Sequence, residues 1–387
     1  MRITTALLGA AFVGACGGAP IEAPDVVRTD SAGVRIVTSG AVDKELPWRF
    51  DSVGVLTDSL GEPWFVGATF REQVLIDRAG RTYLLTADLG LVRFGRDGRF
   101  DRTIGRMGSG PGEFKNPVAI AAQGDTLVVM DVSRRSLVRF SSSLDPIAER
   151  RLDGALSRLE RIAFRAGGFW YSESIHDDTG RGAALRTDTI GGAPLQRVVT
   201  PHGDAVQFRC FGIPQSTPLF APGLSWAASG PRIIVNAQPS YALRLYEGTR
   251  LVAMVRRPLT PRAPTVEDVR EIHPDGMRIV FGGELADRPG CVIPVEEMVA
   301  RQGMARRLPL VEDVQLFADG TIWTQRSRRG TSHTVVDVFG SDGAYSGSVR
   351  GMQLPLGRYP NGDLLLLRED AGNGELLLVR VRPKVAN

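Results

Sequence analysis

A glycine followed by a short run of strand-forming residues recurs six times, and this recurrence constrains the fold more than any other feature. The markers are Gly80 (RTYLL), Gly124 (DTLVV), Gly168 (FWYS), Gly230 (PRIIV), Gly320 (TIWT) and Gly362 (DLLLL), which stand 44, 44, 62, 90 and 42 residues apart. A unit of about 40–45 residues with four short strands is the size of one propeller blade. Six units therefore predict an all-β, six-bladed β-propeller. The 45 glycines and 24 prolines fit a chain rich in turns and poor in long helices.

In chain order, the first blade runs from about Phe65 to Ile104, the second from Asn116 to Leu152 and the third from Leu159 to Thr200. The fourth contains Ile233–Asn236, Tyr241–Tyr246 and Leu251–Arg256; the fifth contains Val314–Phe317, Ile322–Gln325, Thr334–Phe339 and Tyr345–Val349. Asp97-Gly98, Asp319-Gly320 and Asp342-Gly343 are hairpin signals, because a type I′ turn needs positive φ at both central residues. The sixth unit has strands at Leu364–Leu367 and Leu376–Val381 but no outer strand before the chain stops. An N-terminal strand, from 34–37 or 48–56, is expected to complete it and close the ring, leaving no large free edge. The propeller thus spans 34–387, interrupted at about 259–310 between blades four and five. In that insertion Thr265 and Asp268 form a capping pair for one helix, and Val295, Met298, Val299 and Met304 mark a second over 295–306.

The N-terminus is of another kind. Arg2, the apolar run Ile3–Val13 and the small residues Gly14-Ala15 before Cys16 read as an export signal over 1–15, too short to span a bilayer. Val13-Gly14-Ala15-Cys16 resembles the lipobox of bacterial lipoproteins. That resemblance implies cleavage before Cys16, lipid on its thiol, a tether over 16–33 and attachment to the cell envelope. Gly17 after the cysteine favours the outer membrane by analogy. Outside the cytoplasm the two remaining cysteines, Cys210 and Cys291, are expected to pair. Each lies in one of the two inflated spacings, so a disulfide joining two insertions on adjacent blades is expected.

Gly108-Ser109-Gly110-Pro111-Gly112-Glu113-Phe114, with Pro117 and Ile120-Ala121 after it, resembles the inter-blade signature of NHL-type repeats, especially in bacterial six-bladed β-propeller lipoproteins. Leu91–Phe94 and Leu137–Phe140 fit the second halves of the same blades. The match is good over 74–152, weaker to 200 and only a pattern beyond Gly230. What the resemblance implies is the fold; relatives include protein binders and a few metal-dependent hydrolases or lyases.

The charge of +4 arises from 47 basic and 43 acidic residues mixed along the chain, which excludes a nucleic-acid groove. No nucleophile elbow, phosphate loop, CxxC or HExxH is present. The four histidines, His176, His202, His273 and His333, fall at unrelated repeat positions and do not predict a zinc site. Counting eight residues back from each marker glycine gives Glu72, Asn116, Glu160, Pro222, Glu312 and Leu354. Repeat positions lie on a ring, so Glu72, Asn116, Glu160 and Glu312 would converge at one mouth of the channel, a ligand set suited to Ca²⁺ or another divalent cation. Arg71, Arg158 and Arg161 beside these acids offer an alternative, simple ion pairing. Two functions remain open. One is a lipid-anchored extracytoplasmic propeller that binds a protein, peptide or glycan, needs no cofactor and catalyses nothing. The other is a metal-dependent, lactonase-like hydrolase or lyase with an acidic site in the channel.

Overall fold

The structure, a computed structural model, describes residues 25–385 apart from 67–72, 87–89, 124, 142, 153–158, 166–167, 188–192, 214, 238, 280–289 and 328–333. Blade one is the antiparallel sheet Val74–Ile76, Thr82–Thr86, Gly90–Phe94 and Phe100–Ile104. Blade two is Pro117–Gln123, Thr126–Asp131, Ser136–Phe140 and Pro146–Arg151; blade three is Leu159–Arg165, Gly168–Asp177, Gly180–Thr187 and Gln196–Thr200. Blade four is built on Leu224–Ser229, Arg232–Ala237, Ala242–Glu247 and Arg250–Arg256, and blade five on Val311–Leu316, Ile322–Arg326, Val335–Phe339 and Tyr345–Arg350. Blade six is Gly357–Arg358, Leu364–Glu369, Leu376–Val385 and, from the other end of the chain, Trp48–Val55.

Packing closes the ring. Each junction between neighbouring blades holds its own apolar cluster: Phe114 and Phe140 between one and two, Tyr171 and Met130 between two and three, Trp170 and Trp226 between three and four. Leu243 and Phe339 fill the next, Trp323 and Val379 the one after, and Leu378 with Phe94 joins blade six to blade one. A sheet buried on both faces needs apolar residues at consecutive positions rather than alternation. That is why the inner strands read TLVVMD and LLLLRE.

One of the two strands expected to close the ring does so, and several other expectations are corrected. Trp48–Val55 supplies the sixth blade's outer strand, whereas Val34–Ser39 adds parallel to Arg250–Arg256 of blade four. Val26–Ser31, inside the stretch read as tether, folds back on Val34–Ser39 through Ala32 and Gly33, both at positive φ, the signature of a type I′ turn. Phe65–Val66, read as the start of blade one, pairs with Leu376–Leu377 of blade six. At Asp97-Gly98 and Asp342-Gly343 only the glycines have positive φ. Gly98 N–H donates to Gly95 O at 3.0 Å and Gly343 N–H to Gly340 O at 2.9 Å, with a bulge beside each, so these are three-residue hairpins with a glycine bulge.

The insertions form one small unit. Helix α1 (Val266–Ile272) starts at the expected capping box between Thr265 and Asp268. Helix α2 (Val295–Gln302) stops four residues before the expected Arg306, because Gly303 at φ 73° breaks it. Val206, Phe208, Val269, Ile293, Val295 and Met298 make a separate apolar core that joins both insertions. The Cys210–Cys291 disulfide, formed as expected, links them covalently across 81 residues.

The junction of blades four and five also contains buried charge. Asp337, fully buried, accepts hydrogen bonds from Tyr241 Oη (2.6 Å), Arg257 Nη1 (3.0 Å), Arg326 Nε (2.8 Å) and Ser348 Oγ (2.6 Å). Arg326 and Arg257 both reach Asp43, and Arg257 also donates to the carbonyls of Gly40, Ala41 and Val42. Two arginines and two aspartates thus balance one another. They grip the 40–43 segment that carries the chain from blade four to the closing strand of blade six.

Candidate functional site

The crossing face, where each inner strand begins, was expected to carry the acidic ring. Glu72 and the side chain of Glu160 lie outside the described residues. Asn116 is exposed, and its backbone is tied into blade two by Asp131 Oδ1 (3.2 Å) and by Val132 N–H (3.1 Å). Glu312 is exposed beside a bulge, and its Oε2 accepts from Gln325 Nε2 at 3.0 Å. Among the described residues no group of three or more His, Cys, Asp or Glu side chains converges as metal ligands do. Arg161 donates to the carbonyl of Trp226, lies 5.5 Å above that ring and stands 3.9 Å from Asp313. One arginine therefore ties blade three to the inner strands of blades four and five.

The glycine-rich crossing loop is built around Glu113. Its carboxylate accepts from Gly110 N–H (2.6 Å) and Arg106 Nε (2.5 Å), and these bonds, the backbone one foremost, hold it below the usual carboxylate range. At Gly105, φ 69°, a Cβ would stand 2.5 Å from Gly112 O and 2.7 Å from the Phe114 ring. Only glycine fits there. The loop is a tight crossing between blades, as its lack of a following helix predicts.

The concavity that all six blades share reaches from Arg161 and Trp226 within the inner strands to the turns that leave those strands. It is a cavity of about 730 Å³. Small residues make the space: Ala121 and Ala122, Ala163, Ala227 and Ala228, and Gly357 stand where larger side chains would plug the axis. Around this floor sit Arg78, Asp77, Gln315, Asp319 and Arg358. The two aspartates are already occupied. Asp77 accepts from Ala79 N–H (2.9 Å), Arg81 N–H (2.9 Å) and Arg81 Nε (2.6 Å), and that last bond raises the Arg81 pKa. Asp319 accepts from Thr321 N–H (3.0 Å), Thr321 Oγ1 (2.7 Å) and Arg358 Nη1 (2.6 Å). Burial pushes the Asp319 carboxyl up, but Thr321 and Arg358 outweigh it and the net shift is downward. Arg78 is exposed and has no carboxylate partner among the described residues. The cavity is thus an apolar, small-residue floor under an arginine-bearing rim.

A signal for this cavity was present in the repeat. Two residues before the marker glycines stand Arg78, Ala122, Ala228, Ala318 and Pro360, all on the cavity wall. The sixth equivalent, Ala166, lies outside the described residues. The sequence reading counted back to the other end of the strand, eight residues before each glycine instead of two. It also missed a histidine pair: the rings of His176 in blade three and His202 just beyond its last strand lie 5.2 Å apart centroid to centroid, and His202 Nε2 is 2.7 Å from Asp177 O. Cys16 lies outside the described residues, as does His333.

Comparison with known proteins agrees with this architecture. A family model described as a 6-bladed beta-propeller matches residues 85–193. No curated protein sequence matches the chain. Among solved structures, one from Bacteroides fragilis, described as exported, is 9% identical with a TM-score of 0.50 and covers 90% of this chain and 99% of its own. A member of a Bacteroides vulgatus family of undefined function is also 9% identical with a TM-score of 0.50, covering 89% of this chain and 100% of its own. At such identity the likeness concerns the fold alone. On geometry and on comparison together, the chain is a six-bladed β-propeller.

Proposed function

We propose that this is an exported, lipid-anchored propeller that binds a protein or peptide segment in its central cavity and catalyses no reaction. The observation that carries the reading is the cavity: six blades meet there around small apolar residues, under a rim whose aspartates are already paired and whose Arg78 has no carboxylate partner among the described residues. Such a site offers apolar contact below and a cationic anchor above, which suits a segment ending in an acidic side chain or carboxylate. Export is supported by the signal-like N-terminus, the disulfide and the fold shared with a protein described as exported. Acylation of Cys16 would leave ten residues before Val26, a reach of about 33–36 Å when fully extended. The anchor would then hold the propeller by the outer edge of blade four. Gly17 supports the outer membrane as its location.

Panning a displayed random-peptide library against the purified protein tests the reading. Selected peptides should be rich in Asp, Glu or free carboxylates, and Ala228→Trp, which fills the cavity, should abolish their binding. Peptides that bind Ala228→Trp as well as the parent would overturn it, as would exclusive binding of neutral glycans on an array. The metal-dependent hydrolase has less support, since Glu312 is exposed and engaged with Gln325. Calcium-dependent turnover of a lactone or aryl-ester panel, lost in Glu312→Gln, would reverse that preference.

A further inference from the structure

A second concavity lies on the crossing face of blade two, away from the axis. It is about 480 Å³ and is lined by Ser109, Lys115, Ser133, Arg134, Arg135, Glu149 and Arg151. Its charge is uneven: four cations face one carboxylate. Arg134 and Glu149 account for each other, with Arg134 Nη2 at 2.6 Å from Glu149 Oε2 and Nε at 3.2 Å from Oε1. Arg134 Nη1 also donates to the carbonyls of Gly110 (2.9 Å) and Glu113 (2.8 Å). This arginine is therefore structural, a brace that fixes the glycine-rich loop against the outer strand. Lys115, Arg135 and Arg151 are exposed, and their side chains have no carboxylate partner among the described residues.

Two backbone features hold these cations in place. Lys115 N–H donates to buried Asp131 at 2.6 Å, and the same carboxylate accepts from Arg134 N–H at 2.9 Å, so crossing loop and hairpin share one anchor. Arg135 occupies a left-handed backbone conformation at φ 52°, where glycine or asparagine would sit at less cost. The turn tolerates that cost with an arginine whose side chain makes no structural bond among the described residues.

We propose that this pocket binds a phosphate-bearing ligand, held by Lys115, Arg135 and Arg151 and by the hydroxyls of Ser109 and Ser133. Three cations and two hydroxyl donors lining one concavity match a phosphate group, whose oxygens accept several charge-assisted hydrogen bonds at once. The site is distinct from the axial cavity, and the two stand or fall separately. The phosphate belongs to a soluble phosphorylated compound or to a phospholipid headgroup.

Calorimetric titration of the full chain with inorganic pyrophosphate and, separately, with water-soluble short-chain phosphatidylglycerol below its micellar concentration tests this. Binding of either is expected, weakened roughly tenfold by Arg135→Gln and again by Arg151→Gln, about the loss of one charge-assisted hydrogen bond each. Arg181→Gln, at an exposed arginine of blade three, should change nothing. Tighter binding of pyrophosphate identifies a soluble ligand, and tighter binding of the lipid identifies a headgroup. Should neither bind at millimolar concentration, or should Arg181→Gln weaken binding as much as the pocket variants, the proposal is wrong. Unchanged thermal midpoints in the variants separate loss of the site from loss of the fold.

Discussion

Two junctions of the ring solve the same packing problem with opposite chemistry. Between blades one and two, the third-strand position two residues before the terminal phenylalanine is Val138, opposite Val129, and its counterpart at the junction of blades six and one is Val92, opposite Leu84. All are apolar and buried. In blade five the same position is Asp337, opposite Thr324, and both are fully buried. The substitution does not repair a weak junction, since Leu243, Val314 and Phe339 pack there as well as their counterparts elsewhere. What differs is the task. Apolar junctions hold neighbouring blades, whereas the charged one also holds the 40–43 segment in passage. Bare carbonyls there need donors, which Arg257 supplies and which Asp337 keeps in place.

The sharpest way to break this comparison is at Asp337. Asp337→Asn leaves two buried guanidinium groups short of charge and should cost about 3–5 kcal/mol in urea unfolding. Replacing Asp337, Arg257 and Arg326 together with apolar residues should cost less than that single change while loosening 40–43, visible as faster amide exchange there. A single change as mild as a surface substitution would contradict the account.

Next in size is the disulfide. Replacing Cys210 and Cys291 with serine removes a constraint on an 81-residue loop, worth about 4.5 kcal/mol in the chain-entropy model. The loss should concentrate in the insertions, so limited proteolysis should cut near α1 and α2 before it cuts the blades.

Acid should act on a third, smaller scale. Burial raises the Asp363 carboxyl, but Arg382, Asn361 and Arg380 outweigh it and bring its pKa down to about 2; Asp43 is likewise raised by burial and brought down to about 2 by Arg326 and Arg257. A depressed carboxylate stabilises the fold above its unfolded value, and that contribution is lost as pH falls through the folded value. Stability should therefore decline between about pH 4 and pH 2, by about 2 kcal/mol for Asp363, which is almost wholly buried. In Asp363→Asn that part of the slope should vanish. Smallest is the cap: Thr265→Ala should cost about 1 kcal/mol, confined to α1.

Much of the fold was legible because a two-sided buried sheet leaves continuous apolar runs bounded by turn glycines, and because insertions announce themselves as inflated spacing. Thr265 and Asp268 gave the helix start, and the positions of Cys210 and Cys291 gave their pairing. The hairpin type was not legible, since Asp-Gly serves both a two-residue turn and a three-residue turn with a bulge. Nor was the closing strand, because Val34–Ser39 and Trp48–Val55 are equally strand-like and the choice rests on distant partners. The axial cavity was missed because its floor consists of alanines and glycine, which leave no chemical mark, while the eye goes to carboxylates. Nothing adjacent to Asp337 or Arg257 in the sequence marks them as buried, because the partners that bury them, Asp43, Tyr241 and Arg326, come from distant strands and segments.

The central claim, that the axial cavity is where this propeller binds, is tested most directly by hydrogen exchange with a selected acidic peptide bound. Protection is expected in 77–81, 228–232, 315–320 and 357–362, the turns around the cavity. Protection confined to the crossing loop at 105–116 and the hairpin at 132–135, with those turns unchanged, would contradict it.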